Sequence, residues 1–391
     1  MRSYDDGGHE RGEAWECGNV SAPHCNRMSI LGGTFARSHA HTVILLALCL
    51  FALSGCEQDL RVPYIPPTLA NWPQPYHGVS GLTLHVFNTG YLRVDEAALL
   101  RGGSLTRSRD LPVPAFLIEH PKQGLVLFNT GLSPAASGDS AAAASPMWPS
   151  WLSLVSVDAV PGDDLRSQMQ RAGFKPDAVR WIVQSNLRFD HSGELESFPH
   201  ARVVVAKAER EYAQQAPNGY NPAQFDDVAN WKFIDFQSAE PLATFPAHVD
   251  LFGDASCLLI DASGSTPGTM ALLVRLPQQP VVLADDMAAV QENVRYAAQP
   301  AAVFDRREWW DRIWRLKKFK DLVSDLVVVP GHDLEPLQNA HAKGIIVHEF
   351  RRPRAEAHPT ATPNAWQRIL PLSPHIALFF FIFAQGQPPS A

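Results

Sequence analysis

Cysteine is scarce in this sequence of 391 residues: there are five, at positions 17, 25, 49, 56 and 257. The first three fall in an N-terminal segment expected to be removed, and Cys56 is expected to be modified. Cys257 is then alone, which excludes an internal disulfide framework in the mature chain. A solitary cysteine of this kind reads as a small apolar side chain in a core. Basic charge is also in deficit. Lys and Arg number 33 against 40 Asp and Glu, for a net charge of -7, the reverse of the basic face that a nucleic-acid binder needs. No uninterrupted apolar run approaches the roughly 20 residues of a membrane-spanning helix, and no fixed-period repeat marks a solenoid. What is present is a 46% hydrophobic chain, enough for a packed core and too apolar for wholesale disorder.

The one apolar run near the start, Thr42 to Leu53, has the length of a signal-peptide core. It leads into Leu53-Ser54-Gly55-Cys56, which resembles the lipobox of bacterial lipoproteins. Ser54 and Gly55 are small enough to admit a peptidase, and Cys56 offers the thiol that takes the lipid. Residues 1–55 are accordingly read as a signal region, with Met28 a better start than Met1 and residues 1–27 a start placed too early. Prolines 63, 66, 67, 73 and 75 make residues 56–80 an extended lipid-anchored tether. Glu57, in place of an aspartate after the cysteine, favours the outer membrane, with the domain facing the periplasm. Residues 351–391 read as a disordered tail. Its apolar stretch Ile376–Ala384 leaves open whether it packs on the domain, touches a membrane surface or is a non-native extension.

Between these ends, residues 81–350 alternate strand-like and helix-like segments. Strands are expected at Leu82–Phe87, Ala115–Ile118, Leu125–Phe128, Trp181–Val183, Arg202–Val205, Ala271–Leu276, Val281–Leu283 and Leu326–Val329. The Pro121-Lys122-Gln123-Gly124 turn joins two of them as a hairpin. A helix near Asp163–Ala172 has Asp163 or Asp164 as cap and Gly173 as stop. Another is expected from Ala206 to Gln215. A third, near Asp305–Lys320, repeats Trp309, Ile313 and Leu316 at core spacing. Residues 135–150 read as a surface loop. Hairpins mixed with helical crossovers predict mixed sheets covered by helices.

Polar residues gather after four of the strands: Asn129-Thr130-Gly131, Ser185 through Gly193, Asp285-Asp286, and Gly331-His332-Asp333. An α/β scaffold builds a site from such strand ends. Here the stretch from about Leu82 to His332 resembles the metallo-β-lactamase superfamily, nearest its N-acyl-homoserine lactonase-like branch. Asn186-Leu187-Arg188-Phe189-Asp190-His191 stands where that family has His-x-His-x-Asp-His. Phe198 through Glu209 and Tyr212 resembles the strand and helix that follow. Gly264 through Thr269 resembles the loop of the third histidine, Asp286 the metal-bridging aspartate, and His332 the last histidine. The resemblance implies an αββα sandwich of two mixed sheets flanked by helices.

The departures from the pattern carry as much information. Asn186, Arg188 and Ser265 replace the three histidines of the first metal site, and none is a good zinc ligand. Asn129 replaces the aspartate that supports the site from behind, and Ala289 a tyrosine. Asp190, His191, Asp286 and His332 remain. They suit one divalent ion, zinc first, with iron or manganese as alternatives; pairing with Arg188 is the competing account. The resemblance implies a mononuclear, weak hydrolase of a lactone, ester or similar small substrate, with Asp190 as base. The alternative is a non-catalytic lipoprotein that binds a small molecule in the old pocket through Arg188. Oligomeric state is not legible in the sequence.

Overall fold

Contacts divide the chain after Leu60. The computed structural model describes residues 68–136, 155–159, 162–215, 219–339 and 344–348, all in the second unit. The signal region, Cys56, most of the 135–150 stretch and the tail from 351 lie outside the described residues. No described helix is long and apolar enough to cross a membrane.

The first sheet takes β1 (Thr83–Asp95), β2 (Ser108–His120), β3 (Gly124–Phe128), β4 (Val155–Asp158), β5 (Val179–Val183), β6 (Arg202–Ala206) and β7 (Trp231–Ile234). The second takes β8 (Glu240–Leu242), β9 (Phe245–Asp250), β10 (Cys257–Asp261), β11 (Met270–Arg275), β12 (Pro280–Asp285) and β13 (Val327–Pro330). A last strand, β14 (Ile345–Val347), returns to pair in parallel with β1. The spatial orders are β14-β1-β2-β3-β5-β6-β7, with β4 also on β1, and β13-β12-β11-β10-β9-β8. Both sheets are mixed. β1 to β3 are antiparallel and β3 to β7 parallel. The second is antiparallel except for the β12–β13 pair.

Alternation along the strands sets the layers. Phe116 and Ile118 of β2 and Val204 of β6 point to a core that they share with Leu272 and Val274 of β11 and Leu283 of β12. Cys257, free and fully buried, lies in this same layer. Ala115, Leu117, Val203 and Val205 point the other way, against Leu165 and Met169 of the helix α1 (Leu165–Arg171). Ala271 and Leu273 face the helix α2 (Arg306–Leu322), whose Trp309, Ile313, Leu316 and Phe319 are fully buried. The result is helix, sheet, sheet, helix, with the main core between the sheets.

Local chemistry explains the ends. Asp164 caps α1 by accepting from the Ser167 amide at 2.8 Å, and Asp305 caps α2 through the amides of Arg307 and Glu308. β1 runs eight residues beyond Phe87, through a register shift between Asn88 and Tyr91 where Asn88 Oδ1 accepts from the Val113 amide. The stretch expected as tether is folded from Leu69 to Val79. Ala70 pairs with Ala243, Trp72 is buried edge-on against Phe319 at 4.8 Å, and Tyr76 donates to the Leu276 carbonyl. The domain therefore starts earlier than residue 81, because those aromatics have apolar surface of the second sheet to cover.

Candidate metal centre

β3, β5, β12 and β13 all end at the same edge of the sandwich, and the polar segments that follow them meet there. Gly193 allows the approach: a Cβ on it would stand 2.1 Å from the Ser133 amide and 2.5 Å from the Gly131 carbonyl. The Thr130 amide donates to the His191 carbonyl, tying the β3 and β5 loops together. Across the site, the Gly331 and His332 amides donate to the carbonyls of Ala288 and Ala289, so the β13 end is held to the turn carrying Asp286.

Asp190, His191, Asp286 and His332 come together, each less than a tenth exposed. His332 Nδ1 lies 3.0 Å from the Pro112 carbonyl, which makes it the protonated nitrogen and aims Nε2 inward. That Nε2 is 3.6 Å from both Asp190 Oδ2 and Asp286 Oδ1. His191 Nε2 is 3.9 Å from Asp286 Oδ1. One ligand atom from each of His191, Asp286 and His332 lies within 4.8 Å of the others. Donors bound to one tetrahedral zinc stand about 3.4 Å apart. Spacings of 3.6 to 3.9 Å are too long for good hydrogen bonds and near that value, so the imidazoles of His191 and His332 and the Asp286 carboxylate form a triad that could hold a divalent ion, while Asp190 stands beside it on His191 Nδ1.

The three positions of the missing histidines diverge. Asn186 is fully buried and its Nδ2 donates to Asp285 Oδ1 and Asp286 Oδ2, both at 3.1 Å. Arg188 Nη1 reaches the same Asp286 Oδ2 at 3.3 Å. Two N–H donors thus occupy the outer oxygen of the bridging-type carboxylate. Ser265 is half-buried, and its carbonyl accepts from the Phe304 amide. Buried Glu209 braces both loops of this region, accepting from the Leu187 amide, the Tyr220 hydroxyl at 2.7 Å and the Thr266 hydroxyl.

Asp285 is the group that the sequence reading passed over. It is buried, with φ at +51°, a conformation that a non-glycine residue holds only when its surroundings enforce it. Its side chain accepts from Asn129 Nδ2 at 2.5 Å, from Asn186 and from the Asp286 amide, and it lies 3.1 Å from His191 Nε2. Its neighbour in sequence, Asp286, was the only signal. The pair also rationalises Asn129, since an aspartate there would set carboxylate against carboxylate.

His191 is held between two acids, with Nδ1 3.0 Å from Asp190 and Nε2 3.1 Å from Asp285. Burial opposes its charge, but Asp285, Asp190 and Asp286 outweigh that and raise its pKa well above the usual histidine range. His332 is raised too: Asp286 and Asp190 overcome burial. Burial likewise opposes the charges of Asp190 and Asp286, yet the histidines hold both below the ordinary carboxylate value, with Arg188 adding to the effect on Asp286. Asp190 and Asp285 thus flank His191, and Asp286 is shared by His191, His332 and Arg188.

Comparison with known proteins agrees with this architecture. Residues 108–332 match the family model described as the metallo-beta-lactamase superfamily. The N-acyl homoserine lactonase AttM of Rhizobium radiobacter is 27% identical over 270 residues, covering 67% of this chain and 97% of the lactonase. An N-acyl homoserine lactonase of a Bacillus species is 26% identical over 235 residues, 58% of this chain and 83% of its own. Among solved structures, a mutant of B. thuringiensis AiiA with N-decanoyl-L-homoserine bound at the active site superposes with a TM-score of 0.57 at 22% identity, covering 66% of this chain and 96% of that one. An N-acyl homoserine lactone hydrolase with the product N-hexanoyl-L-homoserine at its catalytic metal centre gives the same score, identity and coverage.

Proposed function

Because the chain belongs to the metallo-β-lactamase superfamily, we propose that it is a lactonase-like hydrolase of small lactones or esters that works with a single divalent ion. The observation that carries this is the convergence of His191, Asp286 and His332 within reach of one ion, with Asp190 beside them, while Asn186 and Arg188 take up the other side of Asp286. Zinc is the best match to two imidazoles and a carboxylate. When bound, such an ion supplies Lewis acidity. His191 Nε2, His332 Nε2 and Asp286 Oδ1 would hold it. Asp190 is ionised and placed to take a proton from an attacking water. Its depressed pKa makes it a weak base, from which slow turnover is expected.

The test is metal analysis and hydrolysis on one preparation. Purified protein is dialysed, its zinc, iron and manganese are counted, and acyl homoserine lactones and aryl esters are offered. About one metal per chain with metal-dependent hydrolysis supports the reading. Two metals, or hydrolysis indifferent to chelator, would overturn it. A second reading, a non-catalytic binding protein, is favoured by Arg188, a permanent cation on a residue that otherwise joins two metals. A thermal shift with small ligands in metal-free, inactive protein would select it.

We further propose that the mature protein is tethered to the outer membrane through Cys56 and faces the periplasm. The support is the apolar run ending in Leu53-Ser54-Gly55-Cys56. Equal partition of wild type and Cys56→Ala into the soluble fraction would refute it.

A further inference from the structure

We infer that Arg188 is the electrophile of this site: its guanidinium receives the carbonyl oxygen of a neutral ester or lactone beside the outer oxygen of Asp286. The inference rests on the hydrolase reading above and adds the group that recognises the reacting bond. Asp286 is divided between two environments. Oδ2 takes N–H groups from Asn186 and Arg188 at 3.1 and 3.3 Å, and Oδ1 faces His332 Nε2 at 3.6 Å. The guanidinium thus stands beside the donor set, with one nitrogen committed to Asp286. Its side chain keeps 35% of its exposure, and Asp286 is its one ion pair among the described residues, so donors of its planar fork remain accessible from solvent.

The arginine is also fixed in place. Its backbone amide donates to Asn186 Oδ1 at 2.9 Å, and its carbonyl accepts from the His191 and Ser192 amides. It pairs with Tyr220 across an isolated bridge. From Tyr220 an aromatic wall runs outward, through Tyr212 at 5.7 Å to Phe304 at 5.1 Å from Tyr212; Phe304 is 54% exposed. Such a wall suits the apolar part of an acyl compound.

Charge selects the ligand class. The Asp286 carboxylate lies against the guanidinium and Asp190 stands beside the same donor set, so an anion would meet two acids where a neutral carbonyl group does not. Negative charge then develops on its oxygen only as the reaction proceeds, which is where a fixed guanidinium lowers a barrier. In the step itself, water oxygen bonds to the carbonyl carbon and gives its proton to Asp190. The carbonyl electron pair moves to the oxygen held by Arg188. Collapse breaks the ester C–O bond, and the departing alkoxide recovers the proton from Asp190, leaving a hydroxy acid from a lactone.

The experiment compares wild type, Arg188→Lys and Arg188→Gln, each with its metal content and melting temperature measured. Kinetics use N-hexanoyl homoserine lactone. Binding uses methyl hexylphosphonate, a stable tetrahedral monoanion, by calorimetry. Arg188→Gln should lose about 100-fold or more in kcat with KM within about threefold, Arg188→Lys should recover part of it, and phosphonate affinity should fall in parallel. Phosphonate binding that is as tight in Arg188→Gln as in wild type overturns the inference whatever the activity. If wild type hydrolyses nothing yet binds the phosphonate through Arg188, the hydrolase reading falls and the oxyanion receptor stands. Should Arg188→Gln not fold, Arg188→Lys decides alone: activity and binding equal to wild type would overturn the role of the fork.

Discussion

Loading a metal into this protein should expel two protons, and its affinity should therefore climb steeply with pH. In the metal-free site His191 and His332 both have pKa values raised by the carboxylates around them. Both therefore carry protons at and somewhat above the ordinary histidine value of about 6.5. Each must surrender the proton on its inward nitrogen before it can act as a ligand. With two protons displaced per ion, the apparent association constant rises about 100-fold per pH unit, a factor of ten for each proton. The slope flattens only above the raised pKa values. The same argument fixes the sign for stability. A histidine with a raised folded pKa stabilises the metal-free fold fully below its unfolded pKa, and that share is lost as pH rises through the folded value. Metal-free protein should thus lose stability on the alkaline side, and metal should restore it. The assay is zinc competition against a chelator of known affinity at pH 6, 7 and 8, with calorimetry in buffers of different ionisation enthalpy to count protons. An affinity that does not change with pH after correction for the chelator would mean that the histidines are neutral beforehand, and that the surrounding carboxylates do not raise their pKa values.

Three further perturbations probe the same architecture. Asn129→Asp replaces the 2.5 Å amide contact to Asp285 with two opposed carboxylates; a loss of about 2 kcal/mol or more in urea unfolding is expected at neutral pH, and an unchanged midpoint would contradict the hydrogen-bond assignment. Trp309→Ala empties a fully buried site and removes the indole N–H from the Met287 carbonyl beside Asp286, so about 3–5 kcal/mol of stability should go, with weaker metal binding in whatever remains folded; melting and metal titration report both. Asn186→His, Arg188→His and Ser265→His together should raise metal content from about one to about two per chain and increase lactone hydrolysis, and elemental analysis of folded triple mutant still holding one ion would show that the loops no longer present those positions to a metal.

Much of the scaffold was legible because local signals agreed with the final packing. The 121–124 hairpin, the Asp164 cap, and the Trp309–Ile313–Leu316 stripe each have a mechanism confined to a few residues. What escaped depends on distant partners. β1 seemed to stop at Phe87 because Asn88, Thr89 and Gly90 look like a turn, and only Val113 across the sheet shows that the strand continues. β8 and β9 are short and half-exposed, without a clear period. Leu69 to Val79 looked like tether because proline content does not reveal the apolar face awaiting Trp72. At the site, the spacing of the motif identified four groups that the fold does bring together. Asp285 went unread because its importance comes from a positive φ and from Asn129, Asn186 and His191, none of which is its neighbour in sequence.

Asp190 and His191 hang from the end of β5 in one sheet, and Asp286 and His332 from the ends of β12 and β13 in the other. Whatever links them, an ion or a set of shared protons, is a rivet across the seam of the sandwich. Its rate of loss then helps set how quickly the two sheets can part, so demetallated protein should be the form that proteases cut first. Durability and the proposed chemistry would then draw on the same side chains, with Asn186 and Arg188 on the outer oxygen of Asp286 helping to keep the seam closed.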